Sequence, residues 1–163
     1  MSVLEVLTHP NPILRQVCQA VENFGPELSK QIEDMFDTMK TNNGVGLAAS
    51  QVGILQRILV LNYKKRQLIL VNPQILSKKK KSEIEEGCLS LPGILVLVPR
   101  AKTIVVKAQN EKGEIITLKE TGMIATIIQH EIDHLDGILI IDHGPQILQN
   151  EDEPSYLKLQ SHN

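Results

Sequence analysis

Apolar residues recur along this chain in two rhythms. Leu28, Ile32, Met35, Phe36 and Met39 keep to one helical stripe, which predicts an amphipathic helix over residues 26–40. The breakers Thr41-Asn42-Asn43-Gly44 end it. Before it, Asn11 and Pro12 read as N-cap and first residue of a short turn through Ile13, Leu14 and Val17. From Arg57 the rhythm changes to β-rich runs at 57–62, 67–72, 94–98, 103–109 and 114–119. Tyr63-Lys64-Lys65-Arg66 and Asn110-Glu111-Lys112-Gly113 read as hairpin loops, so neighbouring strands are expected to be mostly antiparallel. A second helix is predicted over 121–135. Its Met123, Ile124, Ala125, Ile127, Ile128, Ile132 and Leu135 leave little polar face, so it must be buried. The fold class expected is α+β, with antiparallel sheets wrapped around this central helix. The division expected is one domain over residues 1–143 and a polar tail, partly mobile, over 144–163.

Composition narrows the function classes. At 163 residues, 42% hydrophobic and 22% charged, the chain has the make-up of one folded domain. With two Tyr, two Phe and no Trp, its core must be aliphatic, and base stacking finds few partners. A net charge of −2 supplies no general field for phosphate backbones, so no nucleic-acid specificity is expected. The densest apolar run, Ile94 to Val98, is far too short to span a membrane. Glu5, His9, Pro10 and Pro12 do not fit a secretory signal, so a cytoplasmic location is expected. There Cys18 and Cys88 stay reduced. The Lys78 to Lys81 run reads as a solvated loop or strand edge.

The candidate chemistry lies in the second helix, at His130-Glu131-Ile132-Asp133-His134. Four residues of about 100° each bring the second imidazole within roughly 40° of the first, so both can grip one ion. Glu131, roughly 60° from His134 on the same side, is placed for a general base. As ordinary helix residues these polar groups would be buried in an apolar helix at a cost that a cation removes. A catalytic site usually needs a third protein ligand. The metzincin pattern fails, since Ile140 stands where its third His belongs and His143 comes too late. Glu151 or Glu153 would have to serve from the polar tail. Cys88 is the better candidate, bracketed by Gly87 and Pro92 in Glu86-Gly87-Cys88-Leu89-Ser90-Leu91-Pro92. Cys18, by contrast, reads as a small packed hydrophobe. Gly44-Val45-Gly46-Leu47-Ala48-Ala49 formally fits a dinucleotide loop, but it follows a helix and leads toward a strand, the reverse of what such a loop requires. Its glycines suit close backbone approach to a ligand or plain loop packing, and Gln51 offers an amide to an oxyanion.

Three segments in order, Gly44-Val45-Gly46-Leu47-Ala48-Ala49-Ser50-Gln51, Glu86-Gly87-Cys88-Leu89-Ser90 and Gln129-His130-Glu131-Ile132-Asp133-His134, closely resemble peptide deformylase. The likeness runs from Pro12-Ile13-Leu14-Arg15 through Asp142. It implies a hydrolase that removes the formyl group from the N-terminal formyl-methionine of new polypeptides and releases formate. On that resemblance Cys88, His130 and His134 match the metal ligands. Glu131 matches the general base and acid as metal-bound water attacks the formyl carbonyl. Gln51 and the Leu89 backbone N–H match the oxyanion donors. Gly44, Val45 and Gly46 fall on the edge that pairs with the peptide, and Ile127 is expected to floor an apolar methionine pocket. The cofactor implied is one divalent ion, Fe(II) in the cell, with Zn, Ni or Co as substitutes in purified protein. A ferrous thiolate site is expected to be oxygen-sensitive. The partner implied is a formyl-methionyl peptide or nascent chain, met transiently at the ribosome by a monomer. Ser50, Thr126, Ile140 and His143 depart from the usual residues, and Ile94-Leu95-Val96 is unusually apolar. These departures bear on pocket shape and substrate preference, and none touches a ligand position. A zincin-type protease would not need Cys88, and a non-catalytic metal-binding module would not need Glu131.

Overall fold

The structure, a computed structural model, describes residues 2–147. Its first regular element is the short turn Pro12–Arg15, where the Asn11 side chain accepts the Ile13 N–H at 3.0 Å as the expected cap. Helix α1, Pro26–Thr41, opens with Pro in its first turn and buries Leu28, Ile32, Met35 and Met39. Its buried Asp34 and Thr38 accept the backbone N–H groups of Ser2 and Leu4, tying the N-terminal segment to the helix.

Five strands follow: β1 Gly46–Ala48, β2 Ile58–Tyr63, β3 Arg66–Cys88, β4 Leu91–Gln109 and β5 Ile115–Thr121. They form one sheet in sequence order, every neighbouring pair antiparallel. Both predicted hairpin loops are turns between consecutive strands. The runs at 94–98 and 103–109 prove to be parts of a single strand, β4. Residues 73–88, which carry no simple alternation, complete β3. Register shifts between Val71 and Gln74 and between Ile75 and Ser77 break the alternation there, because a bulge changes which face the following side chains take. Asn72 stands at the first shift in a left-handed conformation, and its amide bonds both the N–H and the carbonyl of Val21. Lys78 to Lys81 are exposed on the β3 stretch that pairs only with β4, a position where lysines discourage edge-to-edge pairing.

Helix α2, Gly122–Leu135, packs against β1, β2, β4 and β5. The expected wrapping is therefore achieved by one continuous sheet. Ile127, Ile128, Ile132 and Leu135 meet Leu59, Leu61, Leu70, Ile104 and Val106 in the central core. Each such side chain stabilises the fold by about 1.5–3 kcal/mol, which lets a helix that also buries two imidazoles and a carboxylate stay in place. A second cluster lies under α1, and a third surrounds Cys88 with Leu14, Leu91, Val96, Val98, Leu139 and Ile140. Cys18 packs in the central core as a small hydrophobe, and burial pushes its thiol up. Of the polar tail, Gln146 bridges to Val96 and the Ile147 N–H donates to the Leu95 carbonyl at 2.7 Å. Residues 148–163, with Glu151 and Glu153, lie outside the described residues. No helix among the described residues is long and apolar enough to cross a membrane.

Candidate active site

Cys88 closes β3, and a two-residue turn, Leu89-Ser90, reverses the chain so that Cys88 faces Leu91 across the hairpin. The rigid hairpin end presents its sulfur to α2. There the spacing of one helical turn sets His130 and His134 side by side, with ring centroids 5.0 Å apart and planes tilted by 57°. One ligand atom from each of Cys88, His130 and His134 lies within 4.8 Å of the others, and Cys88 Sγ is 3.2 Å from His134 Nε2. All three are buried. Burial holds the His134 ring well below the ordinary histidine range, so it is neutral and able to ligate.

Glu131 reaches the same place from α2, its Oε2 4.0 Å from His130 Nε2. Its Oε1 is buried without a hydrogen-bond partner. Burial pushes this carboxyl up to about 7, against the pull of the nearby His130. A thiol, two imidazoles and an orphaned carboxyl oxygen fit a divalent cation and a water molecule, since a buried polar atom without a partner, as Glu131 Oε1 is, costs about 1–3 kcal/mol.

Gln51 sits in the short helical turn Ala49–Val52 directly after β1. Its Oε1 accepts the Ala48 N–H at 2.9 Å, which orients Nε2 toward Ser90 Oγ at 3.1 Å and Cys88 Sγ at 3.6 Å. Ser50 beside it donates to the His134 carbonyl at 3.2 Å, bracing the last turn of α2. Gly44 and Val45 lead into β1, and Leu89 lies against Gly44, where a Cβ would sit 3.0 Å from Leu89 Cδ1. A Cβ on Gly46 would lie 2.7 Å from Ile127 Cγ2 and 2.8 Å from Glu131 Oε2. The close approach that these glycines suggested is thus made, at Gly46, to Glu131 itself. Ile127 is fully buried beneath that strand.

Of the departures, Thr126 lines a cavity of about 410 Å³ with Tyr63, Ile84 and Met123. Leu95 is buried on β4. His143 stays outside the cage, its Nε2 2.9 Å from Asp133 Oδ2.

Sequence reasoning assigned nothing to Glu86 and Arg100, yet they form the buried support of the site. Glu86 Oε1 lies 2.7 Å from His130 Nδ1. Arg100 donates from Nε and Nη2 to both Glu86 oxygens, at 2.7 and 2.8 Å, and from Nη1 to Asp133 at 2.7 Å. Burial favours the neutral form of Glu86, but the hydrogen bonds from Arg100 and His130 outweigh it and hold the carboxyl at about 2. It therefore remains an acceptor for His130 Nδ1–H, which leaves Nε2 as the ring atom that would face an ion. Glu86 stands two residues before Cys88 on β3, but the register shift between them means that simple alternation does not assign the two a common face. Arg100, an ordinary strand residue fourteen positions from Glu86, carries no local signal.

A buried Cys-His-His set with a carboxyl aimed at it on the same helix defines the class, a metal-dependent hydrolase. Residues 3–150 match the polypeptide deformylase family. The chain is 41% identical to a peptide deformylase from Legionella pneumophila, with 88% of this chain and 87% of that one covered and a TM-score of 0.86. It is also 41% identical to peptide deformylase from Thermotoga maritima, with 89% and 100% covered and a TM-score of 0.86. A peptide deformylase from Acinetobacter baumannii with Met-Ala-Ser bound is 33% identical, with 88% and 100% covered and a TM-score of 0.85. This chain belongs to the peptide deformylase family, and it is a deformylase.

Proposed function

We propose that this enzyme removes the formyl group from the N-terminal formyl-methionine of newly made polypeptides and releases formate. The observation that carries the mechanism is Glu131 Oε1, buried and unpaired beside Cys88, His130 and His134. Support for the substrate comes from the family and from the Acinetobacter baumannii relative, whose bound Met-Ala-Ser begins with the residue that deformylation would expose. Cys88 Sγ, His130 Nε2 and His134 Nε2 would hold the ion. Bound there, a divalent metal supplies Lewis acidity toward water and toward the formyl carbonyl.

The remaining steps belong to the chain. Glu131 takes the proton of the attacking water and later gives it to the departing amine, so one carboxylate serves both halves of the reaction. Gln51 Nε2, oriented by the Ala48 N–H donating to Oε1 of the same side chain, and the Leu89 backbone N–H donate to the oxygen on which negative charge develops. β1 is an edge strand, paired only with β2, so an extended peptide can add alongside Gly44, Val45 and Gly46. The methionine side chain packs toward Ile127 and the neighbouring apolar wall.

Two imidazoles and a thiolate suit ferrous iron as well as zinc. We take Fe(II) as the cellular ion and the cytoplasm as the location, with Zn, Ni or Co replacing iron in purified protein. The enzyme acts as a monomer on nascent chains, met transiently at the ribosome. The test is formate release from a short formyl-methionyl peptide by protein purified without oxygen and loaded with Fe(II). Release is expected, with loss of activity in air. Protein that holds its metal but leaves the formyl peptide intact contradicts this reading.

A further inference from the structure

The hydrogen-bonded support of His130 does not end at Arg100. Asp133 Oδ2 accepts from Arg100 Nη1 at 2.7 Å and also from His143 Nε2 at 2.9 Å. A continuous chain of side chains therefore runs His143, Asp133, Arg100, Glu86, His130, with every link 2.9 Å or shorter. Its inner members are closed from solvent, with Glu86 and Arg100 side chains 0% and 4% exposed, while Asp133 and His143 are 22% and 24% exposed.

Asp133 is the weak point of this chain. It borders a cavity of about 470 Å³ that it shares with Arg57, Gln74, Arg100 and Asp136. A carboxylate on such a border can turn toward water unless a second donor holds it. His143 is that donor. It follows the short helical turn Ile140–Asp142, whose Ile140 is buried in the cluster that contains Cys88, and its own N–H bonds the Ile140 carbonyl at 3.0 Å. The imidazole is therefore presented from a fixed backbone. Held Asp133 fixes the plane of the Arg100 guanidinium, the guanidinium fixes both Glu86 oxygens, and Glu86 fixes the His130 ring.

We propose that His143 is a positioning residue for the metal centre, acting through Asp133, Arg100 and Glu86 on the orientation of His130. This rests on the reading of Cys88, His130 and His134 as ligands. It also gives a role to a residue that stands out in the sequence as a departure and lies outside the cage.

The test uses the full chain loaded with Co(II), reading the visible spectrum of the ion and its rate of loss to a chelator. Removing a direct partner of a ligating histidine weakens metal binding about 10- to 100-fold, so a residue three links out is expected to change release by about 3- to 10-fold. His143→Leu should release Co(II) faster by that factor with a shifted spectrum. His143→Gln, whose amide can donate to Asp133, should return both to within about two-fold of the parent. Asp142→Asn loosens the same segment by breaking its pair with Arg15 but leaves the link to Asp133 intact, so it should leave the spectrum unchanged. A parental release rate and spectrum in His143→Leu overturn the inference. An equal change in Asp142→Asn overturns it too, because segment looseness would then suffice. Failure of the parent protein to take up Co(II) overturns the ligand reading and this inference together.

Discussion

Gly46 lacks a side chain because Glu131 and Ile127 occupy the space one would need, at 2.8 and 2.7 Å from a Cβ. Gly46→Ala should therefore displace the Glu131 carboxyl and lower kcat by about ten-fold or more, since a misplacement of about 1 Å at reacting groups costs up to 100-fold. Steady-state kinetics would show whether kcat falls; an unchanged kcat would mean Glu131 does not need its observed position. At Glu86, replacement by Gln keeps the shape but removes the charge that faces both Arg100 and His130. Metal affinity is expected to fall about 10- to 100-fold, measured by competition with a chromogenic chelator. Residue by residue, the metal set was the most legible part of the molecule. The His-Glu-His spacing on an apolar helix states its chemistry locally, whereas Cys88 became a candidate only beside that motif. Arg100 states nothing locally, because what makes it important is burial between two carboxylates that are distant in sequence.

Among the elements, the helices were readable to within a residue or so, since their apolar stripes and breakers are uninterrupted. Strand β3 was not. From Pro73 onward it carries four lysines and three glutamates, and the bulges near Asn72 and Ile75 reset its face. Such a segment holds its place by pairing with β4, which no local pattern reports. The segment after α2 is fastened differently, by Arg15, which donates to both oxygens of Asp142 and to the Gly137 carbonyl. The hydrogen bonds from Arg15 lower the Asp142 carboxyl below its usual value of 3.8. A depressed carboxyl contributes stability that is present above that usual value and disappears as pH falls through the lower folded value. Both partners are well exposed, so the pair is worth no more than about 1 kcal/mol. Asp142→Asn should accordingly lower Tm slightly near pH 7 and converge with the parent in strong acid. A constant difference at every pH would show that the pair's charge is irrelevant.

For the whole molecule, the α+β class and the central helix followed from the sequence, whereas the union of all strands into one sheet depended on long pairings visible only in three dimensions. The metal site joins a hairpin end to a buried helix, so metal binding must couple to folding. Removing the ion by chelation is expected to lower Tm, because a ligand bound only to the folded chain adds about 2.7 kcal/mol at 100 times its Kd. Thermal melts with and without chelator check this, and Cys88→Ala should show no such difference.

The central claim is that Glu131 moves the proton while Cys88, His130 and His134 hold the ion. Its most direct test measures two quantities on one sample of Glu131→Ala: bound metal per chain, and formate released from a formyl-methionyl peptide. The account predicts parental metal content with turnover reduced by about 10²-fold or more. Turnover near the parental rate at full metal content would contradict it.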